Sequence, residues 1–351
     1  MKCFCSHGFR TMLYIESIHF STPFLLMTTS NTRIKNISAA AWAGLMIGDA
    51  LGAPAEFCYR EDILAKYPAG LQDMVPGFCI CTDRQPGEVT DDTQMAYCLH
   101  LALQDANGWS REAARKRYLE WMATDPPDIG EATYDALSGT PNPESQGNGA
   151  LMRVLPIALW AASHPDFDWQ TAAREDAAIT HPHPICGEAN MVFVHALLTA
   201  MQPDISAEKI FMSTLEFAEA RHLSAELRQT LLAAATRPDY DGEHIGWVRI
   251  ALQGAFYQLL RATSFRETMI DVVSAGGDTD TNAAITGALL GAWKGIACLE
   301  RSWLAAVRAA NPRHYTKLLP TLRALPRYPI RMDEPCAHHL HRIAGIACPI
   351  D

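Results

Sequence analysis

The chain has 351 residues, with 29 Lys and Arg against 39 Asp and Glu, which gives a formal charge of −10 with histidine neutral. That acidic balance argues against a protein that tracks nucleic-acid phosphates. No stretch of about eighteen apolar residues is free of charges and prolines, so a membrane-spanning helix is not predicted. The length and a hydrophobic fraction of 48% predict a soluble globular enzyme or binding domain, with no nucleic acid and no membrane as partners.

Residues 1–37 differ in composition from the rest of the chain, because they mix aromatic and apolar side chains with Glu16, His19 and Pro23. Glu16 interrupts the apolar run that a secretory signal peptide requires. Two interpretations of this N-terminal extension stay open. It is either an arm that docks on a partner or on its own domain, or a leader from an overlong start assignment.

Apolar residues recur at helical spacing from residue 38 onward, alanine is abundant and alternating strand patterns are scarce. These features predict an all-α fold, with a single domain over residues 38–330 and a C-terminal tail over 331–351. The predicted helical stripes begin at Met95, Leu151, Phe193 and Ile285.

Glycine recurs every four residues at Gly44, Gly48 and Gly52, which predicts a bare helical face for close packing against another helix. Glu56 follows in a mainly apolar stretch. A sheltered carboxyl there would have the raised pKa that acid–base chemistry needs. The alternative is an ordinary surface glutamate after a helix.

Two groups of carboxylates and hydroxyls precede predicted helices: Thr90-Asp91-Asp92-Thr93, and the segment Gly-Gly-Asp-Thr-Asp-Thr-Asn at 276–282. Helix N-capping explains one acid per helix. Adjacent or alternating acids repel one another, so a divalent cation between the two groups is the competing explanation. Ligands that are all oxygen suit Mg²⁺, Mn²⁺ or Ca²⁺.

A glycine-containing segment, Ser145 to Arg153, is predicted to open the helix that carries the Leu151 stripe. Backbone amides of glycines at a helix start can bind a phosphate, although a simple flexible turn is the alternative. Nearby in the sequence, Asp128 closes a proline-rich loop, and His181 begins a His-Pro-His-Pro segment.

The cysteines do not form a recognisable pattern. There are ten of them, including the C-x-C pairs Cys3/Cys5 and Cys79/Cys81, but no paired CxxC units have zinc-ribbon spacing. Free thiols are therefore expected, and so many unpatterned thiols favour a cytoplasmic location.

Six segments, taken together and in order, resemble the ADP-ribosylglycohydrolase family. Each is a weak signal alone, whereas six in sequence over residues 44–295 are specific. They are GLMIGDALGAPAEF at 44–57, GEVTDDTQMA at 87–96, DIGEAT at 128–133, GNGALMRVLPIA at 147–158, THPHP at 180–184 and GGDTDTNAAITGALLGAWKG at 276–295.

The resemblance implies an all-α, single-domain multi-helix bundle with a dinuclear Mg²⁺ centre, or Mn²⁺, in a cleft that takes ADP-ribose. Asp280 would bridge the two ions, and Glu56 and Asp128 would be the catalytic residues. The implied metal ligands are Thr90, Asp91, Asp92, Asp278, Asp280 and Thr281, and the implied substrate contacts are Gly147, Asn148, Gly149 and His181.

The resemblance also implies a hydrolase that removes ADP-ribose from a modified protein, with arginine as the expected attachment residue. Hydrolysis of serine-linked or free ADP-ribose derivatives is an alternative. A second hypothesis makes the chain an immunity protein against an ADP-ribosyltransferase toxin, which the N-terminal arm would occlude.

Overall fold

The computed structural model describes residues 22–80 and 82–310, with side chains from residue 33 onward. These ranges form α-helices, short 3-10 helices and two isolated bridges but no β-strand, which confirms the predicted all-α fold. The α-helices are α1 (Thr22–Gly52), α2 (Arg60–Lys66), α3 (Asp91–Ala106), α4 (Arg111–Met122), α5 (Glu131–Ser138), α6 (Leu155–Ser163), α7 (Trp169–Thr180), α8 (Pro184–Ala200), α9 (Ala207–Ala220), α10 (Ala225–Leu232), α11 (Val248–Arg261), α12 (Phe265–Val273), α13 (Thr279–Lys294) and α14 (Arg301–Ala309).

Helices α1 and α13 pack with their backbones in direct contact. A Cβ atom added at Gly44 would lie 2.1 Å from the carbonyl oxygen of Gly287, and one added at Gly48 would lie 2.1 Å from that of Ala283. Only glycine allows this approach, which is the close packing that the four-residue glycine spacing predicts. The contact brings Asp49 of α1 beside the first turn of α13.

The N-terminus of α3 is held against α1 by hydrogen bonds to one carboxylate. Asp49 accepts hydrogen bonds from the backbone N–H groups of Thr90, at 2.9 Å, and Thr93, at 3.1 Å. Thr90 is the N-cap of α3, and its Oγ1 accepts a hydrogen bond from the Asp92 N–H at 3.3 Å. Amides that the start of α3 leaves unpaired thus find acceptors, and the helix begins beside α1 and α13.

The helix predicted from the Leu151 stripe begins later than expected. Residues 149–153 form turns, and α6 starts at Leu155. Pro156 is the reason, because a proline further inside a helix would lack a hydrogen bond and clash with the preceding turn, whereas it fits the first turn of α6. Gly149 therefore belongs to a turn and Gly147 to an isolated bridge with Trp247, and the prediction that they open a helix is wrong.

One continuous cluster of buried apolar side chains runs from α1 to α14. No helix within residues 22–80 and 82–310 has the length and apolar character needed to cross a bilayer.

Helix α1 is continuous across residue 38, the predicted start of the domain. Residues 1–21 and the predicted tail at 331–351 lie outside the described residues, as does 311–330. The domain boundaries and the toxin-binding role of the N-terminal arm therefore stay predictions.

Candidate metal centre

Carboxylates from three helices converge at the place where α1, α3 and α13 meet. Oxygen atoms of Asp49, Asp92 and Asp280 all lie within 4.8 Å of one another, a grouping that could hold a metal ion. The three side chains are buried, with at most 2% of their surface exposed. Asp278, the N-cap of α13, is buried beside them. The two acidic groups recognised in the sequence therefore meet in space.

Hydroxyl groups connect the two acidic groups at Asp92. Its Oδ2 accepts hydrogen bonds from Thr90 Oγ1 at 2.9 Å and from Thr281 Oγ1 at 3.4 Å. Asp278, in the second acidic group, accepts a hydrogen bond through Oδ2 from Asn148 Nδ2 at 2.7 Å. This hydrogen bond ties the turn that contains Asn148 directly to the acidic cluster.

Burial and mutual repulsion raise the pKa values of these carboxyls. The pKa of Asp92 is raised by burial first and then by the charges of Asp49 and Asp278. The pKa of Asp280 is raised by burial and then by Glu56, Asp92 and Asp278, and that of Asp49 rises to about 6 because of burial. The protein by itself therefore does not balance the negative charge of this cluster.

The free oxygen of the cluster is Oδ1 of Asp92, which is buried and accepts no hydrogen bond from any described residue. A buried carboxylate oxygen without a partner is costly unless a ligand supplies one. Together with the all-oxygen donor set, this atom fits a hard divalent cation such as Mg²⁺ or Mn²⁺.

Glu56 and Asp128 lie at the edge of the cluster. Glu56 is half-buried and follows the 3-10 helix Ala53–Ala55, and its charge helps to raise the pKa of Asp280. Asp128 Oδ2 is 2.6 Å from Arg84 Nη2 and accepts a hydrogen bond from the Asp91 N–H at 3.1 Å. Asp128 thereby fixes the first residue of α3.

His181 packs against the turn at Gly147 to Gly149. A Cβ atom added at Gly149 would lie 2.9 Å from His181 Cε1, and one at Gly147 would lie 3.0 Å from Nε2. His181 Nδ1 is 2.8 Å from Thr180 Oγ1, and burial, followed by the charge of Arg153, lowers the pKa of the imidazole to about 3. A neutral imidazole therefore lies beside this turn.

A sequence model of the ADP-ribosylglycohydrolase family matches residues 30–329, which include every residue of the site. The chain belongs to the ADP-ribosylglycohydrolase family. It is 27% identical over 297 residues to the ADP-ribosyl-[dinitrogen reductase] glycohydrolase of Rhodospirillum rubrum, a match that covers 81% of this chain and 95% of that protein.

Two further comparisons agree with the family. The chain is 27% identical over 307 residues to the ADP-ribosylarginine hydrolase Tri1 of Serratia proteamaculans, covering 81% of this chain and 78% of that protein. A solved structure described as an ADP-ribosylglycohydrolase-related protein complex is similar with a TM-score of 0.68 and 29% identity, over 79% of this chain and 93% of that one. As an ADP-ribosylglycohydrolase, the chain is a hydrolase that releases ADP-ribose from modified substrates.

Three residues of this ADP-ribosylglycohydrolase site were missed by the sequence analysis: Asp49, Arg84 and Arg153. Asp49 had a local signal, since it is an acid inside the small, apolar glycine-spaced segment, where an unpaired carboxylate would be costly. Arg84 and Arg153 had none, because their partners Asp128 and Asp176 are distant in sequence.

Proposed function

We propose that this chain is a divalent-metal-dependent hydrolase that cleaves the N-glycosidic bond between ADP-ribose and an arginine side chain. One observation carries the proposal: buried carboxylates from α1, α3 and α13 converge, and one of them, Asp92, has a buried Oδ1 without a hydrogen-bond partner among the described residues. A set of buried acids whose burial and mutual repulsion outweigh the nearby positive charge of the protein is what a cation site requires before the cation binds.

Two Mg²⁺ or Mn²⁺ ions would be held by residues at the N-termini of α3 and α13, with Asp280 among them. Asp49, the third member of the converging group, also accepts hydrogen bonds from the start of α3 and so holds that helix against the site. When bound, the ions orient the ribose hydroxyls and increase the acidity of a water molecule. The proposed ligands are Thr90, Asp91, Asp92, Asp278, Asp280 and Thr281.

We assign acid–base chemistry to Glu56 rather than to Asp128. The Asp128 carboxylate is engaged by Arg84 and by the Asp91 N–H, so it positions the start of α3. Glu56 is half-buried and close enough to the cluster to influence the titration of Asp280. Glu56 accepts a proton from the water that attacks the anomeric carbon, and returns it to the departing guanidine nitrogen.

The turn from Gly147 to Gly149 is the proposed contact for the diphosphate of ADP-ribose. The amide of Asn148 donates to the Gly246 carbonyl at 2.9 Å, whereas those of Gly147 and Gly149 donate to no acceptor in the part of the chain that the structure describes. Two free amides in a turn can bind a phosphate without a helix N-terminus. The neutral imidazole of His181 completes this contact.

The decisive test of the metal-dependent reaction is Asp280→Ala, assayed by release of ADP-ribose from an arginine-modified protein. We expect kcat to fall on the order of a thousandfold, because the change removes several kcal/mol of transition-state stabilisation. Asp166→Ala, at an exposed aspartate in the loop before α7, is the control and should keep normal turnover. Near-normal turnover of the Asp280 variant would disprove the assignment.

We propose arginine as the attachment residue because the Serratia relative is an ADP-ribosylarginine hydrolase. A hydrolysis panel with arginine-, serine- and cysteine-linked ADP-ribose, run with Mg²⁺ and with Mn²⁺, tests it. We expect the largest kcat/KM for the arginine linkage. A larger value for the serine linkage would contradict the proposed substrate but not the hydrolase reaction.

A further inference from the structure

The C-terminal end of α7 places a threonine hydroxyl beside the imidazole of His181. Thr180 is the last residue of α7, and the His181 N–H donates to the Ala177 carbonyl at 2.8 Å, which fixes the backbone at this point. Both side chains are buried, and Thr180 Oγ1 lies 2.8 Å from His181 Nδ1. A single hydrogen bond joins these two atoms, and by its chemistry either group could be the donor.

Arg153 determines the direction of that hydrogen bond. Arg153 Nη1 donates to Thr180 Oγ1 at 2.8 Å, and a guanidinium has donors only, so the hydroxyl oxygen is the acceptor in this contact. The hydroxyl hydrogen needs an acceptor of its own, and among the described residues His181 Nδ1 is the one in contact with it. If Nδ1 donated instead, a buried hydroxyl hydrogen would be left without a partner, which is unfavourable.

The guanidinium of Arg153 is held in place, so Thr180 cannot lose this donor by a side-chain rotation. Arg153 Nη2 donates to the Asp176 carbonyl at 2.9 Å, and the guanidinium carbon lies 4.4 Å from the centre of the Tyr118 ring. The charge of Arg153 also adds to the effect of burial in lowering the pKa of His181. The ring is therefore neutral, and its one proton is left for Nε2 because Nδ1 accepts from Thr180.

The Nε2 atom of His181 faces the turn that contains the glycines. A Cβ atom added at Gly147 would lie 3.0 Å from Nε2, and one added at Gly149 would lie 3.2 Å from it. The hydrogen bond of the ring within residues 22–80 and 82–310 is the one at Nδ1, which leaves Nε2 without a protein partner there. An N–H group on Nε2 is thus a donor that remains available to a ligand bound at this turn.

We propose that Thr180 and Arg153 are positioning residues, which hold His181 as the tautomer with its proton on Nε2 and so make the ring a hydrogen-bond donor to the diphosphate of ADP-ribose. A diphosphate oxygen at this turn would then meet the Nε2–H group beside the amides of Gly147 and Gly149. The opposite tautomer would present a lone pair to the same anion. The contact with the diphosphate rests on the proposed function, whereas the tautomer of His181 does not.

The first test is NMR spectroscopy of the full-length protein labelled with ¹⁵N in histidine, with the His181 signals assigned by their loss in His181→Gln. Correlations of the ring nitrogens with the carbon-bound ring protons show which nitrogen is protonated. We expect a proton on Nε2 and none on Nδ1 in the wild type at neutral pH. A proton on Nδ1, alone or together with one on Nε2, would overturn the proposal.

The second test measures the Kd of ADP-ribose by calorimetry in the presence of Mg²⁺. Thr180→Val keeps the shape of the side chain but removes the hydroxyl, so we expect Kd to rise roughly tenfold, as the loss of one hydrogen bond to an anion implies. Thr180→Ser restores the hydroxyl and should bind like the wild type. Thr214→Val, which changes a buried threonine whose hydroxyl donates to the Ile210 carbonyl within α9, is the matched control and should also bind normally.

The outcomes separate positioning from a purely structural role. Normal affinity in Thr180→Val would overturn the positioning role of Thr180, and so would a Thr180→Ser protein that binds as weakly as Thr180→Val. If Thr180→Val does not fold, the spectrum of the wild type and the affinity of Thr180→Ser still decide the matter. A wild type that shows the expected tautomer but does not bind ADP-ribose would instead contradict the proposed function.

Discussion

Two groups of buried charges lie on either side of the turn at 147–153, and they are balanced in opposite ways. On one side, Arg153 and Asp176 form an ion pair at 3.1 Å, with neither side chain exposed. Asp176 also accepts a hydrogen bond from Tyr118 Oη at 2.6 Å, and Arg153 donates to Thr180 Oγ1 at 2.8 Å. On the other side, the carboxylates around Asp92 face one another, and Oδ1 of Asp92 has no hydrogen-bond partner among the described residues.

The difference distinguishes a structural charge cluster from one that needs a ligand. Arg153 and Asp176 satisfy each other, so their network holds α7 to the turn and keeps the neighbouring Asn148 in reach of Asp278. The carboxylates around Asp92 have no such partner and repel one another, so either protons or a cation must reduce their charge. Burying charges is unfavourable in both clusters, but only in the Arg153–Asp176 cluster does an opposite charge of the protein offset the loss of hydration.

Breaking the satisfied cluster should have the largest effect on stability. In Asp176→Asn, Arg153 is left as a buried charge without its carboxylate, so we expect the free energy of unfolding to fall by about 3–5 kcal/mol. Urea unfolding monitored by circular dichroism measures this. Asp166→Asn, at an exposed position, is the matched control. A loss below about 1 kcal/mol would show that the ion pair is not a structural element.

Adding a cation should stabilise the unsatisfied cluster, and more so at higher pH. Without metal, the raised carboxyl pKa values, about 6 for Asp49, mean that the folded state holds extra protons and loses stability as the pH rises through them. Bound Mg²⁺ keeps the carboxylates ionised, so the Tm gain from Mg²⁺ should grow between pH 5 and 7.5. When the Mg²⁺ concentration is a hundred times its Kd, binding raises the free energy of unfolding by about 2.7 kcal/mol.

The measurement compares thermal unfolding in EDTA and in Mg²⁺ at each pH. His181, whose low pKa makes the folded state less stable in acid, contributes equally to both curves and cancels in their difference. A Tm gain that does not change with pH would contradict the assignment of the raised carboxyl pKa values to the metal site.

Removing one charge from the unsatisfied cluster should have the smallest effect on stability, and the opposite sign. We expect Asp92→Asn to raise the free energy of unfolding of the metal-free protein by about 1 kcal/mol, because it relieves repulsion among buried carboxylates. The same variant should lose its Mg²⁺-dependent Tm gain. A metal-free Asp92→Asn protein less stable than the wild type would mean that the repulsion is not a dominant cost.

The sequence predicted the elements that are contiguous along the chain. The glycine spacing at Gly44 and Gly48 predicted the close approach of another helix, and the acids at 91–92 and 278–280 were recognisable because each group lies within a few residues. The helix start at Leu151 was wrong, because the apolar stripe was extended through a segment that Pro156 prevents from being helical.

Local patterns could not reveal residues whose partners come from distant segments. Asp49 acquires its role from Thr90 and Thr93, which lie about forty residues away. Arg84 acquires its role from Asp128, a partner distant in sequence, so Asp128 and Glu56 were alternative candidates for acid–base chemistry before the fold was known. Only the fold shows that the Asp128 carboxylate accepts hydrogen bonds from Arg84 and from the Asp91 N–H.

From the sequence alone one can predict most of the helical segments, the helices that can approach closely and the segments rich in oxygen donors, because propensity, periodicity and glycine spacing act over a few residues. The tertiary structure decided which charges are neutralised within the protein and which are left for a ligand. That balance depends on distances between side chains far apart in the sequence and on their removal from water, and both exist only after the helices have packed.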